Sequence, residues 1–167
     1  MKRLTDDEFE IIVNKYYKLL INVANKYLRN GFDSEDVVQD TFIKLYRARK
    51  EFDSDEHLKN WLIRVTINNS LDFLKHHNCK KMLIDNEYIN NLPETSDAEE
   101  KNEDIRECVL SLKTSYKTII ILYYYEKYNL KDIACILKIS ESNAASRLDR
   151  ARKKLKKILI ERRKLND

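Results

Sequence analysis

The 167-residue chain carries 32 Lys and Arg against 28 Asp and Glu, but only 1 Gly and 1 Pro. That scarcity excludes a turn-rich β fold, and with 36% charged residues in helical patterns it predicts an all-α protein of one domain or two small ones. The net charge of +4 is unevenly spread: residues 1–76 balance 13 bases with 13 acids, residues 77–104 hold 3 and 8, and residues 105–167 hold 16 and 7. A strongly basic C-terminal stretch points to an anionic partner for that part of the chain.

Thr5-Asp6-Asp7-Glu8 is a capping box that opens a long helix. Phe9, Ile12, Val13, Tyr16, Leu20, Val23, Ala24, Tyr27 and Leu28 follow a 3.6-residue period to about Arg29, with Gly31 expected as the C-cap. A second helix is expected from Asp33 or Ser34, with Val38, Phe42 and Leu45 inward and Asp36, Gln39, Asp40 and Lys44 together on the wet face. The acids Asp33, Glu35, Asp36 and Asp40 invite a metal reading. Acids in a first helical turn are what the helix dipole favours, however, so a solvated or protein-binding face is the better account.

Glu51 to Glu56 is a polar connection, and a third helix is expected from His57 to about His77. Leu58, Trp61, Leu62, Val65, Leu71 and Leu74 occupy one side, and Lys59, Asn60, Arg64, Asn68, Asn69, Asp72 and Lys75 the other. Amides, an Arg and a nearby Trp suit stacking on unpaired bases, although spacing alone makes Trp61 a core residue. From Asn78 to Asp104 the helical pattern fails, and the Pro93-containing acidic stretch reads as a linker. Such a linker reaches roughly 90 Å fully extended but about 29 Å as a random coil. It therefore lets two halves act more than two DNA turns apart, given a scaffold that holds it open.

Ile105, Val109, Leu110 and Leu112 resume the pattern. The run Ile119 to Tyr125 has the composition of a buried strand, but no partner strand appears, so a buried helix is expected. Leu130 to Lys157 then reads as two short helices and a tight turn. Asn129 caps the first, with Asp132 as its capping-box partner, and Ile133, Ala134, Ile136 and Leu137 face inward. Lys138-Ile139 form the turn, and Ser140 caps the second helix with Glu141 in its first turn. Ala144, Leu148 and Ala151 lie inward at i, i+4 and i+7, leaving Ser142, Asn143, Ser146, Arg147 and Arg150 outward. Either a groove-reading helix-turn-helix or a helical hairpin with a solvated basic face fits this pattern. In the first case the outward residues suit base edges, and Arg152, Lys153, Lys154, Lys156 and Lys157 suit phosphates. One turn residue needs a positive φ, and that position falls on Lys138 at a cost of about 1 kcal/mol.

Cys79, Cys108 and Cys135 have no paired spacing, which favours a reducing compartment. His76-His77-x-Cys79 lacks a second ligand pair, so neither a metal nor a cofactor is expected. With no leader pattern and no apolar run near the 18 or so residues a bilayer requires, the chain is expected to be soluble and cytoplasmic.

Two blocks, in order, resemble the extracytoplasmic-function (ECF) group of bacterial RNA polymerase sigma factors. DSEDVVQDTF ending at Phe42, FDS at 52–54 and LKNWLIRVTINNSLDFL at 58–74 look like the family's region two. YKTIIILYYYEKYNLKDIACILKISESNAASRLDRARKKLKK at 116–157 looks like its region four. The resemblance implies region two at residues 1–77, an acidic linker at 78–104 and region four at 105–167. It further implies transcription initiation without catalysis, with core RNA polymerase, promoter DNA and an inhibitory anti-sigma protein as partners.

Asp36, Gln39, Asp40 and Lys44 would dock on the polymerase. Phe52, Asp53, Ser54, Trp61, Arg64, Asn68 and Asn69 would hold the opened minus-ten element. Ser140, Glu141, Ser142, Asn143, Ser146, Arg147, Arg150 and Lys153 would read the minus-thirty-five duplex. The chain departs from the family at Ile67 and Ala145, where basic residues are usual, and at Lys127 and Lys138, where Gly is usual.

Two readings of other classes compete. A DNA-binding regulator with an N-terminal sensing domain shares the C-terminal features, but the N-terminal pattern encloses no evident small-molecule pocket. A nucleic-acid enzyme would need a phosphate loop, an HExxH pair or a nucleophile motif, none of which occurs.

Overall fold

The computed structural model describes residues 4–48, 50–83 and 97–166, apart from the side chains of 78–83, 97–103 and 166. Among these residues the elements are all helical: α1 Asp6–Tyr27, α2 Gly31–Arg47, α3 Asp55–Leu83, α4 Asp97–Ser111, α5 Thr114–Ile120 continued by a π-helical turn Ile121–Tyr125, α6 Leu130–Leu137 and α7 Glu141–Asn166. They form two compact units, with the residues through Cys79 in the first and the bulk of the remainder in the second.

In the first unit the predicted capping box opens α1. Thr5 accepts from the Glu8 amide at 3.2 Å, and the Glu8 carboxylate accepts from the Thr5 amide at 2.9 Å. Tyr16, Leu20, Val23, Ala24 and Tyr27 are buried, as the period required. Phe9 meets Phe42 and Tyr46 edge-on at 6.3 and 5.1 Å, which seats α1 on α2. Gly31 corrects the expectation of a C-cap: α1 ends at Tyr27, and Gly31 is the first residue of α2. Asn30 is the N-cap, its side chain accepting from the Phe32 amide at 2.9 Å, and Gly31 has no positive φ. α2 therefore begins two or three residues before the expected start.

α3 starts at Asp55, two residues before the expected start, because Ser54 is its cap and accepts from the His57 amide at 3.1 Å. Lys15 reaches across to Asp55 at 2.8 Å, and that ammonium holds the Asp55 carboxyl below its ordinary range. α3 runs on to Leu83 and α4 begins at Asp97, so helix enters the expected linker from both sides. The core of that linker, residues 84–96, lies outside the described residues.

The second unit is built on the apolar run that could have been a strand. Ile119, Ile120, Ile121 and Leu122 are all buried within α5 and its π turn, packed against α7. The wider π turn closes with Glu126 donating to Ile121 O at 3.0 Å, followed by Lys127 at φ 59°. Lys117 donates to Leu110 O at 2.7 Å, satisfying a carbonyl at the end of α4, and burial pushes its ammonium pKa down. At the other end of α7, Arg162 pairs with Glu107 at 2.7 Å and ties the helix to α4.

Lys127 and Lys138 are the two non-Gly residues with positive φ among those described, at 59° and 54°. At each, Cβ crowds the backbone in a way that Gly avoids. Lys138→Gly and Lys127→Gly should each raise the unfolding free energy by up to about 1 kcal/mol in urea denaturation, net of the added freedom of the unfolded chain. Lys138→Ala should give no gain, and an equal gain from Ala would show that the cost lies in the lysine side chain rather than in the backbone.

Candidate functional site

Three surfaces carry the residues singled out by the sequence. On α2, burial of Val37, Val38, Thr41, Phe42 and Leu45 turns Asp36, Gln39 and Asp40 to solvent on the opposite face. Phe32 and Ile43, 78% and 45% exposed, lie along the same face. Sequence reasoning passed over both because an isolated exposed apolar residue is unremarkable. Lys44 is exposed over its stem, but its ammonium donates to Asn69 Oδ1 on α3.

The second surface joins the loop before α3 to the first turns of that helix. Phe52 is half-buried and packs edge-on against Trp61 at 5.6 Å and His57 at 5.4 Å, with Lys50 over its ring at 5.6 Å. Asp53 and Ser54 are exposed beside it, and His57 Nδ1 lies 3.4 Å from the Asp53 amide. Trp61 and Arg64 are partly exposed, and Asn68 fully so, at the i, i+3, i+7 spacing of one helix face. Trp61 is thus neither a core residue nor a free platform: it is partly exposed and packs against Phe52.

Asn69 is corrected. It is 7% exposed, and its amide donates to Thr41 Oγ1 at 3.0 Å while accepting from Lys44. The period placed it at the margin of the polar face. A pair of core threonines, Thr41 and Thr66 with hydroxyls 3.3 Å apart, draws it inward. Little in the sequence pointed to this, because both threonine hydroxyls already donate to carbonyls of their own helices, Val37 O and Leu62 O.

The third surface is the predicted helix-turn-helix. Asn129 Oδ1 accepts from the Asp132 amide at 2.8 Å and starts α6. Lys138 sits in the left-handed region, with Ile139 donating back to Ala134 O at 3.0 Å, which ends α6 in a Schellman-type turn. Ser140 Oγ accepts from the Asn143 amide at 3.1 Å and starts α7. Ala144, Leu148 and Ala151 are 0%, 3% and 0% exposed, which sets the rotation of the helix. Ser140, Glu141, Ser142, Asn143, Ser146 and Arg150 are consequently exposed, with Arg147 half-buried at their edge.

Two cations expected on phosphates are otherwise engaged. Lys153 pairs with Asp149 at 2.8 Å, one turn back. Arg152 Nε donates to Tyr124 Oη at 2.6 Å, and its guanidinium lies 5.2 and 5.5 Å from the Tyr123 and Tyr124 ring centres. The tyrosine hydrogen bond raises the already high Arg152 pKa. Lys154, Lys156 and Lys157 remain exposed along α7.

Among the described residues no group of His, Cys, Asp or Glu is arranged to hold a metal ion, so the acids of α2 form no such cluster. Cys79 of the His76-His77-x-Cys79 pattern has its side chain outside the described set. No described helix is long and apolar enough to cross a membrane.

Comparison with known proteins matches these surfaces to two family regions. Residues 12–78 match Sigma-70 region 2, and residues 102–155 match Sigma-70, region 4. The chain is 29% identical over 159 residues to the ECF RNA polymerase sigma factor SigM of Bacillus subtilis, covering 92% of this chain and 93% of SigM. It is 30% identical over 138 residues to RNA polymerase sigma factor SigV of the same organism, covering 83% and 80%. The fold is similar to CnrH, solved in complex with the cytosolic domain of CnrY (TM-score 0.66, 23% identity, 94% of this chain and 90% of that one). It is also similar to the sigma factor RpoE solved with the anti-sigma factor NepR from Bartonella quintana (TM-score 0.61, 22% identity, 91% and 96%).

Trp61 is the chain's 1 tryptophan, so its fluorescence reports on the Phe52 cluster alone. Phe52→Ala should shift the emission to longer wavelength with helical circular dichroism retained. Unchanged emission would mean that the ring pair is not held in solution.

Proposed function

The chain belongs to the ECF group of bacterial RNA polymerase sigma factors and directs promoter-specific transcription initiation, and on that premise we propose how its surfaces divide the work. The exposed face of α2 around Asp36, Gln39 and Asp40, with Lys44 at its margin, docks on core polymerase. The Phe52–Trp61 cluster, with Asp53, Ser54, Arg64 and Asn68, receives the opened minus-ten strand. Stacking on an aromatic face and a fixed pocket for an extruded base offset the few kcal/mol that unstacking costs. Asn69 supports that helix from behind.

The first half of α7 enters the major groove of the minus-thirty-five duplex. Ser140, Glu141, Ser142, Asn143, Ser146, Arg147 and Arg150 stand at the base edges, and Lys154 and Lys157 meet phosphates. Lys153, engaged by Asp149, contributes mainly to the local field. Functionally the division runs 1–77, 78–104 and 105–167, with the acidic middle segment tethering the two DNA-binding parts. The chain itself performs no catalysis and works in the cytoplasm, where polymerase and promoter are. An anti-sigma protein holds it inactive, a partner carried over from the RpoE–NepR pair. The observation that carries this reading is the rotation of α7: three buried side chains leave a polar, partly cationic face in the half of the helix that follows the turn.

Run-off transcription with core polymerase, on DNA taken from upstream of the chain's own gene, tests the whole reading. A discrete transcript dependent on this protein is expected. Its absence, together with tight binding to the same DNA without polymerase, would make the chain a regulator instead.

Arg147→Ala and Arg150→Ala should each cost about 1–3 kcal/mol in minus-thirty-five recognition and leave core affinity unchanged. Arg152→Ala, because of its commitment to Tyr124, should cost the duplex far less. Loss of core binding in the Arg147 or Arg150 variants would refute the division of labour. Reversing the charge at Asp36 and Asp40 together should lower core affinity without lowering the melting temperature, and unchanged affinity would remove α2 from the docking surface.

A further inference from the structure

Polar contacts between α2 and α3 form a directed chain. Lys44 Nζ donates to Asn69 Oδ1, Asn69 Nδ2 donates to Thr41 Oγ1 at 3.0 Å, and Thr41 Oγ1 donates to Val37 O at 2.9 Å. Thr66 adds its hydroxyl 3.3 Å from that of Thr41 while donating to Leu62 O at 2.9 Å. Thr41 and Thr66 are fully buried and Asn69 nearly so. The chemistry leaves one orientation for the Asn69 amide. An ammonium can only donate, so the amide oxygen faces Lys44, and the Thr41 proton is already given to Val37, so the amide nitrogen faces Thr41.

This arrangement decides where the Lys44 charge goes. Asp40 lies four residues before Lys44 on the same exposed side of α2, which is the favourable order for an i, i+4 acid–base pair. Among the described residues no such pair forms, and the ammonium is directed to the edge of α3 instead. We infer that Asn69 is a positioning residue that holds Lys44 off Asp40, so that Asp36 and Asp40 stay uncompensated for a cationic surface on core polymerase. This rests on the docking role of α2 proposed above. It also reassigns Lys44: its charge is withheld from the interface rather than offered to it. Complementary rim charges act chiefly on the association rate, so the effect belongs there and fades with salt.

The test uses the full chain and core polymerase at low ionic strength, with stopped-flow association as one readout. The other readout is the hydrogen-exchange-protected NMR signal of the Lys44 ammonium in the free protein. Asn69→Leu keeps the volume but removes the acceptor. It should lose the protected signal and associate with core roughly threefold to tenfold more slowly. The double variant Asn69→Leu/Lys44→Ala should recover wild-type association, which a purely structural role for Asn69 does not allow. Asn69→Asp keeps an oxygen for Lys44 and should associate as wild type, so the idea stays testable even if the leucine variant folds poorly.

Slow association of the double variant or of the Asp variant would overturn the inference, as would a Lys44 signal unchanged in Asn69→Leu. If the ammonium signal is lost but association never changes, Lys44 is held by Asn69 as described and the docking role of α2 is what fails.

Discussion

What the second unit shows to DNA depends on how α7 is rotated, and that rotation is set by the burial of Ala144, Leu148 and Ala151 against the rest of the unit. At 100° per residue, a stripe at i, i+4 and i+7 leaves only one arc of the helix for a partner. Ser142, Asn143, Ser146 and Arg150 occupy that arc, and Arg147 its edge. The far end of α7 is held separately, by the Arg162 pairing with Glu107 on α4. A 26-residue helix about 39 Å long is thus packed into its unit at its first half and paired with α4 near its end.

Local chemistry was the legible part of this molecule. Thr5, Asn129 and Ser140 cap the helices their types announced, since an N-cap bond closes within three residues. The positive φ at Lys138 was readable for the same reason: a turn of that length after Leu137 needs one left-handed residue. Failures came where the deciding partner is distant in the chain. Asn69 lies inward because of Thr41, 28 residues away, and Arg152 is diverted from phosphates by Tyr124, also 28 residues away. Gly31 misled for a different reason. Glycine is a common helix terminator, but Asn30 beside it is the stronger cap for the helix that follows, and the chain turns there without a left-handed residue.

The near absence of glycine has structural consequences. With 1 Gly in the chain, and that one inside a helix, both left-handed positions on either side of α6 fall to lysines. Lys138 has a compensation, because a cation at the C-terminus of α6 faces the negative end of the helix dipole. Lys127 follows a π turn, within which Tyr124 and Tyr125 are 42% and 41% exposed. Tyr124 lies on that turn and accepts from Arg152 Nε at 2.6 Å, so the irregular turn carries the partner of the diverted arginine.

The charge content of the two parts of the chain differs in the way the proposed division of labour requires. The stretch 1–76 is neutral overall, with 13 bases and 13 acids, and its candidate DNA surface is a partly exposed Trp, a Phe and an amide rather than a field of cations. Stacking on unpaired bases is local and insensitive to phosphate charge, so such a surface works only where bases have already left the duplex. The stretch 105–167, with 16 bases and 7 acids, carries the charge that would attract intact duplex at long range through its phosphates. Docking on polymerase through the acidic face of α2, as proposed, would serve a purpose beyond affinity. It would bring a weakly charged surface to DNA that such a surface does not attract by itself, while the basic unit would supply the register along the duplex. On the proposed reading, holding the Lys44 ammonium at Asn69 keeps that face acidic, just as the burial of Ala144, Leu148 and Ala151 keeps Arg150 exposed on α7.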